Sequence, residues 1–117
     1  MPKILIAEDD PTMLALLGTL LEIEQYTVAY YDERESFIDV LNRENPQFLL
    51  LDIHLGTQNG LTLTKKIRNS EKFQNIKIIL QSGMNLDSEC RKVKADAFLL
   101  KPYMPETLLG LLKDLDV

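Results

Sequence analysis

Short apolar runs alternate along the chain with longer segments in which apolar residues recur every three to four positions. The runs are KILIA (3–7), TVAYY (27–31), QFLLL (47–51), IKIIL (76–80) and AFLL (97–100). Most are apolar at consecutive positions, which predicts strands buried on both faces. The segments between them have helical spacing. The first covers 11–24 with Met13, Leu14, Leu17, Leu20 and Leu21 on one side, and the second covers about 33–44 with Phe37, Val40 and Leu41. A third, over about 61–70, carries Leu63 and Ile67. A short fourth, near 87–94, carries Leu86, Cys90 and Val93, and the last starts at Pro105 with Leu108, Leu109, Leu112 and Leu115.

Five strand–helix pairs in this order predict an α/β fold, a doubly wound parallel sheet with helices on both faces. Asp10-Pro11 predicts an N-cap followed by proline at the first helical position. Asn59-Gly60 predicts a turn into the third helix. Nothing along the chain has the composition of a linker, repeat or low-complexity segment, so residues 1–117 are expected to form one domain.

Composition narrows the function classes. With 117 residues, 45% of them hydrophobic, the chain can build a real core. A net charge of −5 argues against a nucleic-acid surface, which needs clustered Lys and Arg. The single cysteine, Cys90, forms no internal disulfide and sits at core spacing with Leu86 and Val93. No apolar run approaches the ~20 residues that span a bilayer. A soluble, cytoplasmic domain is expected.

In an open parallel sheet, ligands bind beyond the carboxyl ends of the strands. There the first strand is followed by Glu8, Asp9 and Asp10, the third by Asp52, the fourth by Ser82 and the fifth by Lys101. Of the three consecutive acids, Asp10 is spoken for as the helix cap. Carboxylates crowded together have raised pKa values unless a cation shares their charge. A hard divalent ion such as Mg²⁺ suits a few carboxylate oxygens. The dedicated loop of a Ca²⁺ site and the His/Cys cluster of a zinc site are missing from the sequence, as is a glycine-rich phosphate loop.

Four stretches in order, ILIAEDDP, FLLLDIHLGTQNG, IILQSG and ADAFLLKPYMPETL, carry a resemblance over essentially the whole chain. The sequence resembles a response-regulator receiver domain, the phosphoacceptor half of two-component signalling. The resemblance implies a five-stranded (βα)5 flavodoxin-like fold with strand order 2-1-3-4-5. It makes Asp52 the phosphoryl acceptor. Glu8 and Asp9 become the acid pair for Mg²⁺, Asp9 the more direct ligand, with Asp52 and the backbone carbonyl of His54 completing the protein contacts. Ser82 and Lys101 would bind the phosphoryl group, and Phe98 would be the aromatic that changes rotamer with Ser82. The implied partners are a histidine kinase or histidine phosphotransfer protein, an output domain or target protein, and a second copy across the fourth helix, fifth strand and fifth helix. Turnover would be limited to self-phosphorylation from small donors and slow autodephosphorylation.

Some positions depart from the family pattern. Gly56 stands where a proline commonly follows the phosphoacceptor strand, the fourth helix is short by about one turn, and Met104 offers no cap to the last helix. Two other functions compete: a receiver-like binding module that acts without phosphorylation, and an aspartate-nucleophile phosphohydrolase. The second needs an acid two residues after Asp52, where His54 stands.

Overall fold

The computed structural model describes residues 2–116. Five strands and five helices alternate: β1 (Lys3–Ala7), α1 (Pro11–Ile23), β2 (Thr27–Tyr30), α2 (Phe37–Glu44), β3 (Phe48–Asp52), α3 (Gly60–Arg68), β4 (Lys77–Ser82), α4 (Asp87–Lys92), β5 (Ala97–Leu100) and α5 (Pro105–Leu115). All strands of the main sheet are parallel, in the order β2-β1-β3-β4-β5, as the resemblance implies. A two-residue hairpin, His54–Leu55 against Gln58–Asn59, lies between β3 and α3.

The central strands show why consecutive apolar residues were needed. Every residue of β3 is buried, and β1 is buried from Ile4 onward. Alternate side chains feed two cores. Ile4, Ile6, Phe48, Leu50 and Ile79 pack with α1 and α5 through Leu17, Leu21, Leu108 and Leu112. Leu5, Leu49, Leu51, Ile78 and Leu80 pack with α2, α3 and α4 through Val40, Leu41, Leu63, Ile67 and Cys90. Cys90 is core, as its spacing predicts, and burial pushes its thiol up to about 11. The edge strands differ from the expectation. Thr27 and Tyr30 of β2 and Leu100 of β5 are exposed, because an edge strand has one neighbour and less helix cover.

The helix ends follow local chemistry. The Asp10 carboxylate accepts the N–H groups of Thr12 and Met13 at 2.9 and 3.4 Å, ahead of Pro11. Helix α2 starts at Phe37 and not near residue 33. The Asp32 carboxylate accepts the backbone N–H of Arg34, and the Asp32 carbonyl that of Glu35, closing a turn there instead. Helix α4 has only 6 residues, and Lys94 turns into the left-handed region with φ 65°. Helix α5 follows Met104, whose side chain supplies no cap.

One ion pair was not foreseen. Arg68, at the end of α3, donates to the carbonyls of Lys94 and Ile76 at 2.8 and 2.9 Å and to Asp96 at 2.7 Å. Asp96 also accepts the Ile78 N–H at 2.7 Å. The guanidinium thus ties α3 to the entries of β4 and β5. Arg68→Ala is expected to lower unfolding free energy by about 2–3 kcal/mol, because three acceptors lose one charged donor. Urea denaturation with an unchanged slope checks this.

Candidate functional site

Strand register brings the polar residues to one edge. Ala7 lies beside Leu51, so Glu8 follows β1 next to the end of β3. Asp52 pairs with Gln81, and Ser82 with Leu100. The Lys101 N–H then donates to the Ser82 carbonyl at 2.8 Å, which extends the β4–β5 ladder to the lysine. Alternation along the strands puts Phe48, Leu50 and Asp52 on the α1/α5 side, with Ile79 and Gln81 beside them.

The centre of the site is a triad. The Lys101 ammonium donates to Glu8 Oε1 at 2.6 Å and to Asp52 Oδ2 at 2.9 Å. Both acids are nearly closed to solvent, Glu8 at 6% and Asp52 at 7% exposure. Two buried carboxylates therefore share one cation. Burial is the largest influence on Asp52 and, with Glu8 alongside, pushes its carboxyl up to about 6 against the opposing pull of Lys101. Burial also acts upward on Glu8, but hydrogen bonds from Lys101 and the Asp10 N–H hold that carboxyl below its ordinary value. For Lys101 burial acts downward, and the two acids outweigh it and raise it.

The other expected residues stand around this triad in different states. Asp9 is exposed, and its Oδ2 accepts the N–H of Gly56 at 2.7 Å. Gly56 adopts φ 56°, the left-handed backbone for which glycine is suited, and a Cβ there would meet the Glu33 carboxylate. Ser82 is buried, and its hydroxyl accepts the Met84 N–H at 3.0 Å, so turn chemistry engages it. Phe98 is half-buried, packed against the core beneath α2, α3 and α4, on the opposite side of the sheet from Asp52. The His54 side chain is exposed, on the hairpin that follows β3.

Three further residues shape the site. Gln81 is fully buried; its amide donates to Glu8 Oε1 at 3.1 Å and accepts from the Tyr103 hydroxyl at 2.5 Å. The signal for Gln81 was present, one polar residue inside IKIILQSG, but its direction needed the register. Gly60 is required by close approach. A Cβ there would lie 2.7 Å from the Asp52 carbonyl oxygen and 2.8 Å from Ile53 Cα. Asn59 caps α3 above it, accepting from Leu61 and Thr62 at 2.8 and 3.3 Å.

The donor set is all oxygen and carries more negative charge than Lys101 balances, which fits a hard divalent cation in chemistry. It is not a ready-made cage. Among the described residues no three of His, Cys, Asp and Glu form a group that could hold a metal ion. Asp9 engages the Gly56 N–H through Oδ2, which leaves its other carboxylate oxygen for a cation. No helix among the described residues is long and apolar enough to cross a membrane.

Known proteins share this arrangement of strands. Regulatory protein VanR of Enterococcus faecium is 30% identical over 116 residues, covering 95% of this chain and 48% of VanR. The chain spans about half the length of the first curated relatives it matches, VanR and BaeR. The BeF3-activated N-terminal receiver domain of Klebsiella pneumoniae RstA superposes with a TM-score of 0.86 at 28% identity, over 98% of this chain and 99% of that one. The receiver domain of sensor histidine kinase PA1611 from Pseudomonas aeruginosa, with magnesium coordinated in its active-site cleft, has the same fold. Its TM-score is 0.83 at 23% identity, over 97% of this chain and 95% of that one. The family model of the response regulator receiver domain matches residues 4–113, a span that runs from β1 through the Asp52–Lys101 pair into α5. With sheet order and sequence match in agreement, the chain belongs to the response regulator receiver domains of two-component signalling.

Proposed function

We propose that this chain is a Mg²⁺-dependent phosphoacceptor switch that takes a phosphoryl group on Asp52. The observation that carries the reading is the Asp52–Lys101–Glu8 triad, a buried carboxyl beside an ammonium at the sheet edge. The donor is the phosphohistidine of a kinase or phosphotransfer protein. An Asp52 oxygen attacks phosphorus, the P–N bond breaks, and the imidazole leaves with its electron pair. A divalent cation, when bound, neutralises charge on the carboxylates and on the moving group. Asp9, Glu8, Asp52 and the His54 carbonyl would hold it, with Asp9 the more direct ligand.

Lys101 then exchanges its carboxylate partners for a phosphoryl oxygen, and the Ser82 hydroxyl, which accepts from the Met84 N–H, donates its own O–H to another. Phe98 follows Ser82 as the switch aromatic. The face that would report this carries exposed Met84, Leu100 and Met104, which supports a target, an output domain or a second copy as the partner. Residues 1–117 act in this reading as one receiver domain in the cytoplasm. A second reading, a binding module that signals without phosphorylation, draws on the Asp9–Gly56 bond, which ties the expected cation ligand to the loop after β3.

Incubation with acetyl phosphate and Mg²⁺ separates the two. The switch gains the mass of one phosphoryl group, and the gain is lost when the metal is chelated. Folded protein that gains no mass would favour the binding module.

A further inference from the structure

The Gln81 side chain is out of place by composition. It lies fully buried on β4, which is otherwise apolar from Ile78 to Leu80. A buried amide is tolerated only when both its ends are bonded. Here its N–H reaches Glu8 Oε1 at 3.1 Å, and its carbonyl oxygen accepts from Tyr103 at 2.5 Å. The orientation is forced. An ionised carboxylate only accepts, so the NH2 end must face Glu8. The Tyr103 hydroxyl, held protonated by burial and by the charges of Glu8 and Asp52, donates to the other end.

Glu8 is thereby held at four points. Oε2 accepts the N–H groups of Asp9 and Asp10 at 2.8 and 3.3 Å, and Oε1 accepts both Lys101 and Gln81. Lys101 and Gln81 share the same oxygen. If Lys101 were its only partner, the departure of the ammonium would strip a buried charged atom of its last donor, and such an atom is costly to leave bare. With Gln81 in place, Oε1 keeps a donor and Glu8 stays where it is.

We propose that Tyr103 and Gln81 act in series as positioning residues that pin Glu8 and so leave Lys101 free to move to the incoming phosphoryl group. The inference rests on the phosphoacceptor reading and deepens it. Tyr103 sits between β5 and the first residue of α5, so the relay also connects the site to the start of that helix.

Tyr103→Phe and Gln81→Met test it, both close in shape to the residues they replace. Each should slow acyl-phosphate formation from acetyl phosphate at saturating Mg²⁺ by about three- to tenfold, the scale of one ordinary hydrogen bond. Saturating Mg²⁺ keeps any change in metal affinity out of the comparison. The double variant should be no slower than Gln81→Met, since Tyr103 acts only through the amide. Full rates in Tyr103→Phe, or losses that multiply in the double variant, overturn the inference. A metal-free measurement stands apart from activity. In a ¹H–¹⁵N spectrum the Gln81 side-chain NH2 pair should move in Glu8→Gln and in Tyr103→Phe. A pair that stays fixed in either variant overturns the relay. Wild-type protein that takes no phosphoryl group refutes the phosphoacceptor reading instead, and the spectrum still decides whether the relay exists.

Discussion

Asp52→Asn is expected to abolish acyl-phosphate formation and, at the same time, to make the metal-free protein more stable at neutral pH. The first effect follows because an amide lacks the nucleophilic carboxylate oxygen. The second follows from burial. Asp52 rises from the ordinary 3.8 to about 6 in the folded chain, so folding favours its protonated form. Between those values the unfolded chain gives up the proton first, and stability falls as pH rises through the window. Above it the full penalty applies, about 3 kcal/mol for a shift of this size. Asparagine carries no charge and escapes it. The stability gain should therefore be largest above pH 6 and vanish below 3.8. Urea denaturation of the wild type and Asp52→Asn across that range measures it. An equal difference at both ends would remove the electrostatic explanation.

Lys101→Met is expected to be the most damaging single change at this site. It removes the one ammonium that both Glu8 and Asp52 contact, and leaves two buried acids facing each other. Breaking a buried pair from one side costs about 3–5 kcal/mol at neutral pH. The loss should shrink in acid, where Asp52 keeps its proton and only Glu8 remains charged. It should shrink at pH 7 as well when Asp52→Asn is added, because one of the stranded charges is then gone. Denaturation of the two single variants and the double variant gives the coupling. Additive losses would mean that Lys101 stabilises the fold by packing its stem and not by serving the two carboxylates.

Much of this was legible in the sequence because the relevant physics is local. A central parallel strand needs apolar residues on both faces, so QFLLL and IKIIL identify themselves. Asp10-Pro11 caps α1 from two adjacent residues. The strand-end rule then places Glu8, Asp52, Ser82 and Lys101 on one edge without knowledge of a single distance. What stayed hidden depends on separation. The clamp from Arg68 reaches Asp96 across 28 positions, and nothing near either residue announces the other. Gln81 looks like an interruption of an apolar run until the register turns it toward Glu8, 73 positions away. The sequence pattern extends α2 back to about residue 33 because 33–36 is polar and continuous with an amphipathic segment, while the Asp32 turn that excludes it depends on one side chain. The exposure of β2 and β5 reflects their places at the sheet edges, which composition does not reveal.

Phosphotransfer to Asp52 requires that acids from two strand ends share a divalent cation beside it. Calorimetric titration of the wild-type protein with Mg²⁺ tests this without any phosphodonor. One binding site is expected, weakened or lost in Asp52→Asn and in Asp9→Asn, and kept in Asp10→Asn, whose side chain serves the helix cap. Absence of Mg²⁺ binding by folded wild-type protein, or binding indifferent to Asp52 and Asp9, would contradict it.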